Sequence, residues 1–259
     1  ALAAELIADD TAHGDLKPEN LVVGAEGQLH PIDLDAMFLP AFAGERSPEL
    51  GTAAYQHPAR TEETFDERID DYPAALISTA LHALAADPGL GARYAGSDGL
   101  LFNPARIPRE AAYREVIALF ELRGKAVQYR IARLLETPVP QLPGLGELLR
   151  EAVRMAERPE STPDPAGPQP ELFEREGRWG FRLAGQVVIP PLYDNGFDFT
   201  EGLAAVRLGQ TWHYIDPAGR TRLSCPGCQA VKPFRNGRAQ IVRNGRRAAI
   251  DPSGRILEN

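Results

Sequence analysis

Cysteine is scarce in this sequence and long apolar runs are missing, and each shortage excludes a class of protein. Only two cysteines occur in 259 residues, which argues against a secreted scaffold held by disulfides and predicts a reducing, cytoplasmic location. No apolar run approaches the roughly 18 residues that a membrane-spanning helix needs, so we expect no membrane contact. Residues 1–8 are apolar but have no basic flank, which argues against a signal peptide.

An excess of basic residues is also missing. The chain carries 28 Lys and Arg against 36 Asp and Glu, for a net charge of −8 and a pI of about 5.2. Surfaces that bind nucleic acid are normally basic, so we expect no nucleic-acid partner. Hydrophobic residues make up 43% of the chain, which is enough to build packed cores in two domains of ordinary size.

The most informative stretch is HGDLKPEN at residues 13–20. It places an acid (Asp15), a lysine (Lys17) and an amide (Asn20) at fixed steps on a short loop, and a second acid, Asp33, follows 13 positions after Asn20. This set suits phosphoryl transfer, in which an acid orients a hydroxyl, a lysine neutralises phosphate, and oxygen ligands hold magnesium on a nucleotide. The competing interpretation is a polar turn that only caps a helix.

Two later motifs follow at fixed spacing, GTAAYQHPA at residues 51–59 and DYPA at residues 71–74. Together with the loop at 13–20, they resemble the catalytic lobe of eukaryotic-like protein kinases, and most of all the Ser/Thr branch, because Lys17 follows the acid by two positions. The first motif is similar to the end of an activation segment, and the second to the start of a long buried helix. The resemblance covers about residues 1–156.

The resemblance assigns a role to each polar residue of the site. It implies catalytic residues Asp15, Lys17 and Thr52, cofactor-binding residues Lys17, Asn20, Val22 and Asp33, and metal ligands Asn20 and Asp33. Val22 would form an apolar floor under the adenine. The cofactors implied are ATP and Mg²⁺, and the implied partner is a protein substrate with a Ser or Thr hydroxyl.

Several positions depart from the kinase pattern. Gly14 stands where many kinases carry an arginine, so we expect no switch gated by phosphate on the activation segment. Asp35 replaces the glycine of D-F-G and rivals Asp33 as metal ligand, although spacing favours Asp33. Ala59 replaces the glutamate of A-P-E. Asp71 is expected to bind backbone N–H groups of the catalytic loop, or to act as a plain N-cap of its helix.

No Gly-rich phosphate loop and no V-A-I-K lysine precede the loop at 13–20. We therefore expect a lower kinase lobe without its upper lobe, a fragment with little or no activity of its own. Three hypotheses stay open: a Ser/Thr kinase with an added binding module, a catalytically inactive pseudokinase scaffold, and a small-molecule phosphotransferase. The four polar residues favour the first, Asp35 and Ala59 lend weight to the second, and residues 51–59 argue against the third.

Composition changes after residue 156. Residues 157–171 are rich in proline and charge and contain no large apolar side chain, which predicts a linker over 157–172. Beyond the linker, WGF at 179–181 recurs as WHY at 212–214, and IDPAGR at 215–220 recurs as IDPSGR at 250–255.

These units resemble the WG (or KWG) β-repeat family, which implies a small all-β module over residues 173–259 with about two and a half repeats. The module would bind a protein or ligand partner. The fold class predicted for the whole chain is α+β, a mainly helical kinase-like lobe followed by this β module. Helices are expected at 1–10, 71–86, 109–120, 125–136 and 145–156, and short strands at 21–23 and 29–32.

Two features of the repeats leave alternatives open. Cys225 and Cys228 form a single C-x-x-C pair, and one pair favours two incidental thiols in a turn over a zinc or redox site. The C-terminal region is locally basic through Arg235, Arg238, Arg243, Arg246 and Arg247. These arginines form either a solvated face or a docking patch for an acidic partner.

Overall fold

A computed structural model describes residues 2–95, 101–157 and 168–257 of the chain. The chain divides into two compact units, Ala1–Ile117 with Val127–Arg158 and Ala118–Ala126 with Pro159–Asn259. Helices dominate the first unit and antiparallel strands the second, so the predicted α+β class is confirmed. Residues 158–167 of the predicted linker lie outside the described residues.

The described residues contain six α-helices and a short hairpin ahead of the second unit's strands. The helices are α1 (Leu2–Ala8), α2 (Asp71–Ala86), α3 (Gly89–Tyr94), α4 (Ala111–Leu122), α5 (Ala126–Leu134) and α6 (Leu145–Glu157), and the hairpin joins β1 (Leu21–Val23) to β2 (Leu29–Pro31). The five predicted helices begin and end within two residues of the observed ones. None of the described helices combines the length and apolar character needed to cross a bilayer.

Helix α2 is buried along most of its length. Tyr72, Leu76 and Ala83 are almost fully covered, as the apolar pattern of residues 71–86 predicts. The same apolar pattern predicts that Leu81 is buried, and this prediction is wrong, because 62% of Leu81 is exposed. Leu81 follows Leu76 by five positions, which is one full helical turn and a further rotation of about 140°, so the two side chains lie on different faces of α2.

The second unit contains three small antiparallel sheets whose strands pair in chain order. The first sheet is β3 (Glu171–Arg175), β4 (Arg178–Leu183) and β5 (Gln186–Tyr193); the second is β6 (Asn195–Gly196), β7 (Ala204–Leu208), β8 (Thr211–Ile215) and β9 (Thr221–Cys225); the third is β10 (Cys228–Val231), β11 (Ala239–Arg243), β12 (Arg246–Ile250) and β13 (Ile256–Leu257). Each sheet contains one tight hairpin at the same place in the repeat, namely β3–β4, β7–β8 or β11–β12, so each sheet is one structural repeat.

The turns of successive repeats have the same geometry. Glu201 and Gly202 both have positive φ, of 52° and 78°, and Asn236 and Gly237 repeat this with 52° and 69°. Asp216 Oδ1 accepts hydrogen bonds from two backbone N–H groups within the next four residues, and Asp251 Oδ1 does the same 35 positions later. The sequence repeat therefore reproduces the same turn chemistry in each sheet.

Aromatic pairs connect each sheet to the segment that enters the next. The ring of Phe181 in β4 lies 4.8 Å from that of Phe199, at an interplanar angle of 61°. One repeat later, Tyr214 in β8 lies 4.7 Å from Phe234 at 60°. Phe234 belongs to the buried core of the second and third sheets. Because small sheets cannot bury a face alone, these pairs join the repeats into one core.

Replacement of Phe234 by alanine tests this connection. Phe234 is only 1% exposed, so Phe234→Ala is expected to lower the free energy of unfolding by about 3–5 kcal/mol. Both tryptophans lie in the repeat module, so urea unfolding followed by tryptophan fluorescence reports on this module. Ile256→Ala, at a residue that is 57% exposed, is the control and should change the midpoint little. Equal effects of the two variants would contradict the role of the aromatic pair.

Candidate active site

Three side chains from two separate segments meet at the loop of residues 13–20. Lys17 Nζ donates hydrogen bonds to Asp15 Oδ2 at 2.6 Å and to Thr52 Oγ1 at 2.9 Å. The backbone N–H of Thr52 donates to Asp15 Oδ1 at 2.5 Å, and its hydroxyl lies 3.3 Å from Oδ2. The structure thus brings together Asp15, Lys17 and Thr52, and their catalytic role stays a prediction.

Opposite charges lie side by side in this cluster. Burial by itself would raise the pKa of Asp15, but hydrogen bonds from Lys17 and Thr52 outweigh it and hold the pKa below its usual value. The hydrogen bond to Asp15 raises the pKa of Lys17, and the charge of Asp33 adds to this effect. The ionised carboxylate of Asp15 therefore lies beside the charged ammonium group of Lys17. Such a pair could accept a hydrogen bond from a hydroxyl through the carboxylate and attract a phosphate through the ammonium group.

Asn20 and Asp33 are connected through the backbone. Asn20 is buried, and its Nδ2 donates to Asp15 O at 3.0 Å and Oδ2 at 3.3 Å. The N–H of Ile32 donates to Asn20 O at 2.9 Å, and His13 Nε2 lies 2.8 Å from Ile32 O. These bonds hold the residue that precedes Asp33 beside the loop.

Asp33 itself has an unusual backbone conformation. Its φ of 64° lies in the left-handed region, which non-glycine residues rarely adopt. Such residues concentrate at ligand sites. Among the described residues no three His, Cys, Asp or Glu side chains converge as a metal-holding group, and the role of Asn20 and Asp33 as metal ligands stays a prediction.

Val22 lies on strand β1, opposite His30. It is 46% exposed. The adjacent pair of Val23 and Leu29 is also exposed, but successive side chains of a strand point to opposite faces, so this pair lies on the other face of the hairpin from Val22. Adenine binding by Val22 stays a prediction.

Two glycines allow the segments to approach each other closely. Gly14 has a φ of 83°, and a Cβ added there would lie 2.1 Å from the carbonyl oxygen of Ala36. Gly51 has a φ of 67°, and a Cβ added there would lie 2.7 Å from Gly14 O. The arginine that many kinases carry before the catalytic aspartate therefore has no room at residue 14.

Arg60 was not identified from the sequence, yet it contacts the site. It is 7% exposed, and its Nη1 donates to Gly14 O and to Gln56 Oε1, both at 2.7 Å. Its Nη2 donates to Glu49 O at 3.4 Å and to Ser47 Oγ at 3.5 Å. The signal in the sequence is an arginine directly after GTAAYQHPA, in a chain that has no arginine at residue 14.

Asp70, and not Asp71, binds the loop. Its carboxylate accepts hydrogen bonds from the N–H of His13 and, at 3.0 Å, from the N–H of Gly14. Asp71 instead accepts from Arg68 Nε and from the N–H of Leu142, each at 2.8 Å. Both roles expected for Asp71 are therefore wrong. The corresponding kinase pattern, D-x-W-S, has an aromatic two positions after its acid, and Tyr72 follows Asp70, not Asp71, by two positions.

The C-x-x-C pair of the repeat module lies in its core. Cys225 ends β9 and Cys228 begins β10, so the two residues between them form the turn, and both thiols are buried. Burial raises the pKa of Cys225 to about 12, and it raises that of Cys228 as well. Neutral thiols are poor nucleophiles, and the described residues contain no group of three or more His, Cys, Asp or Glu side chains that could hold a metal ion. Both observations support the interpretation as packed thiols in a turn.

Comparison with known proteins identifies one part of the chain. The model of the WG containing repeat family matches residues 183–212, from the end of β4 to the start of β8. The C-terminal module therefore contains a WG-type repeat. No curated protein matches the chain.

Hydrogen exchange distinguishes the two neighbouring aspartates. Asp70→Ala leaves the N–H groups of His13 and Gly14 without their acceptor, and each buried donor left unpaired costs about 1–3 kcal/mol. We expect protection of these two amides to fall by about tenfold or more, while the amide of Leu142 keeps its protection. Asp71→Ala should produce the reverse pattern. Loss of protection at His13 and Gly14 in both variants would contradict the assignment of Asp70.

The coupling between Asp15 and Lys17 predicts a pH effect. Lys17→Met removes a hydrogen bond that lowers the pKa of Asp15, so this pKa should rise toward its usual value. The ionised carboxylate of Asp15 stabilises the fold above its unfolded pKa, and this stability is lost as pH falls through its folded pKa. In Lys17→Met this pH-dependent stability should be smaller. A carbon-13 NMR titration of the Asp15 carboxyl measures this shift, with Lys125→Met as control. An unchanged Asp15 titration in Lys17→Met would show that the two charges are not coupled.

Proposed function

We propose that the helical unit is the lower lobe of an ATP-dependent Ser/Thr protein kinase, and that the WG-repeat module binds a partner or sensor ligand. The observation that carries the proposal is the convergence of Asp15, Lys17, Thr52 and Asn20 in one hydrogen-bonded cluster. Thr52 comes from a segment 32 to 37 residues beyond the other three. The reaction is phosphoryl transfer from Mg-ATP to a protein hydroxyl.

Asp15 is proposed to align the incoming hydroxyl. Its lowered pKa keeps it ionised at neutral pH, so it accepts a hydrogen bond from a Ser or Thr hydroxyl and the proton that this group loses. Lys17 keeps its charge beside it and attracts the phosphate that is transferred. Thr52 fixes both side chains through its N–H and hydroxyl, which holds the acceptor and the cation in one geometry.

Asn20 and Asp33 are the proposed cation ligands. Asn20 uses its amide nitrogen to bind Asp15, so the amide oxygen is the atom that ligates. An amide and a carboxylate oxygen form a hard donor set, and two protein ligands suit Mg²⁺, which keeps waters and substrate phosphates in its shell. When bound, the cation neutralises charge on the phosphates.

The segment around residues 47–60 is proposed to be the platform for the protein substrate. Arg60 links it to the loop through Gly14 O and Gln56. Ser47 is buried and its hydroxyl donates to Glu49 O at 2.6 Å. The segment is therefore held by internal hydrogen bonds and an arginine, which supports a platform that needs no added phosphate.

An inactive pseudokinase scaffold is the alternative, with the WG repeats as its binding part. Two departures favour it. Asp35, an exposed residue, replaces a glycine in the loop proposed to hold the cation, and Ala59 contributes only its backbone N–H, to His57 Nδ1. The two functions differ in one property, because a scaffold of this kind needs no metal-bound nucleotide.

Binding of a metal nucleotide tests the proposal, with Mn²⁺ in place of Mg²⁺ as an NMR probe. With a non-hydrolysable ATP analogue present, we expect Mn²⁺ to broaden amide signals next to Asn20 and Asp33 before those of the repeat module. Asp33→Ala should abolish this broadening and Asp35→Ala should preserve it, because spacing favours Asp33 as the ligand.

Each other outcome has a defined meaning. Broadening lost in Asp35→Ala and kept in Asp33→Ala would contradict the ligand assignment. Equal broadening in wild type and in both variants would place the cation elsewhere. No nucleotide-dependent broadening at all would contradict the kinase proposal and favour the scaffold.

A further inference from the structure

The third repeat concentrates positive charge in an acidic chain. Residues 226–259 contain seven basic and two acidic residues, whereas the whole chain has a net charge of −8. Three of the basic residues, Arg243, Arg246 and Arg247, lie at the closed end of the hairpin between β11 and β12 and are exposed. We name these three residues the arginine hairpin.

Strand register shows which residues of the other repeats correspond to the arginine hairpin. In the hairpins β3–β4, β7–β8 and β11–β12, the last paired residues before the turn are Arg175 with Arg178, Leu208 with Thr211, and Arg243 with Arg246. Arg246 is therefore the counterpart of Arg178. By the same register, Arg247 occupies the position of the tryptophans at residues 179 and 212.

The counterpart in the first repeat has an acidic partner. Arg178 Nη1 forms an ion pair with Asp194, whose other carboxylate oxygen accepts a hydrogen bond at 2.6 Å from the N–H of Gly209 in the next hairpin turn. One carboxylate thus neutralises the arginine of one repeat and binds the backbone of the next. This contact shows, within the same chain, how a carboxylate binds an arginine at the repeat position that Arg246 occupies in the third repeat.

The arginine hairpin has no such partner in the described part of the chain. Arg243 and Arg246 lie directly opposite each other, and like charges in this arrangement repel. Among the residues that the structure describes, no ion pair involves either of them or Arg247. Gln229, a neutral amide, accepts the N–H of Gly245 in this turn. Within residues 168–257, therefore, no neighbouring carboxylate balances the charge of the arginine hairpin.

We propose that the arginine hairpin is a docking surface for an acidic segment of another protein. The contact between Arg178 and Asp194 shows the chemistry, in which a carboxylate binds a guanidinium and a backbone N–H at a hairpin end. A polypeptide is favoured over nucleic acid because Trp212, Tyr214 and Phe234, which belong to the core of the second and third sheets, are buried and so cannot stack on bases. The proposal does not depend on kinase activity.

Fluorescence anisotropy with the whole 259-residue chain tests it. The probe is a labelled peptide of alternating Glu and Gly, about twelve residues long, enough to follow a strand pair. The variant R243Q/R246Q/R247Q should weaken binding by about tenfold or more, since exposed charge pairs each contribute a fraction of a kcal/mol to about 1 kcal/mol. The control R106Q/R109Q/R114Q removes the same charge from three exposed arginines of the helical unit that have no recorded ion pair, and it should bind nearly as wild type.

The outcomes separate the proposal from its rivals. Binding that falls with rising salt, needs Glu in the peptide and is lost only in the hairpin variant supports the proposal. It is overturned by no binding at low salt, or by equal weakening in both variants. Tighter binding of a single-stranded oligonucleotide of equal charge would assign the surface to nucleic acid. Self-association lost in the hairpin variant would assign it to a second copy of the chain. Unchanged tryptophan fluorescence confirms that the variants are folded.

Discussion

The carboxylate of Asp15 receives hydrogen bonds from Lys17, from Asn20 and from the backbone of Thr52, and the candidate site depends on it. Burial works against its charge, and the hydrogen bonds from Lys17 and Thr52 more than offset that effect. The same bonds fix the separation between the loop and the segment that begins at Gly51. A change in the charge of Asp15 therefore affects both the chemistry and the fit of these two segments.

A second carboxylate, that of Asp70, binds the backbone of the loop of residues 13–20. Asp70 binds the N–H groups of His13 and Gly14, while Arg60 binds the carbonyl of Gly14 from another direction. Burial raises the pKa of Asp70, in contrast to that of Asp15. The two acids thus have separate tasks, since Asp70 orders the backbone and Asp15 remains ionised next to Lys17.

Fixed steps on a short loop leave few arrangements, so motif spacing placed Asp15, Lys17 and Asn20 together, whereas Thr52 was added only by the resemblance to kinases. Apolar periodicity also located α2 and α4 to α6 within two residues. It did not reveal α3, which has six residues and two glycines. The role of Asp70 was assigned to its neighbour, because the two acids differ by one position. The contact of Arg60 with Gly14 was not predicted, because a long side chain joins segments that are far apart in sequence, and no local pattern encodes such a contact.

The central claim is that this cluster surrounds a metal-bound triphosphate. A crystal structure of the chain with Mg²⁺ and a non-hydrolysable ATP analogue measures this most directly. The account predicts the cation on the Asn20 amide oxygen and the Asp33 carboxylate, with the terminal phosphate beside Lys17. A nucleotide bound elsewhere, or Asp33 turned away from both cation and phosphate, would contradict it.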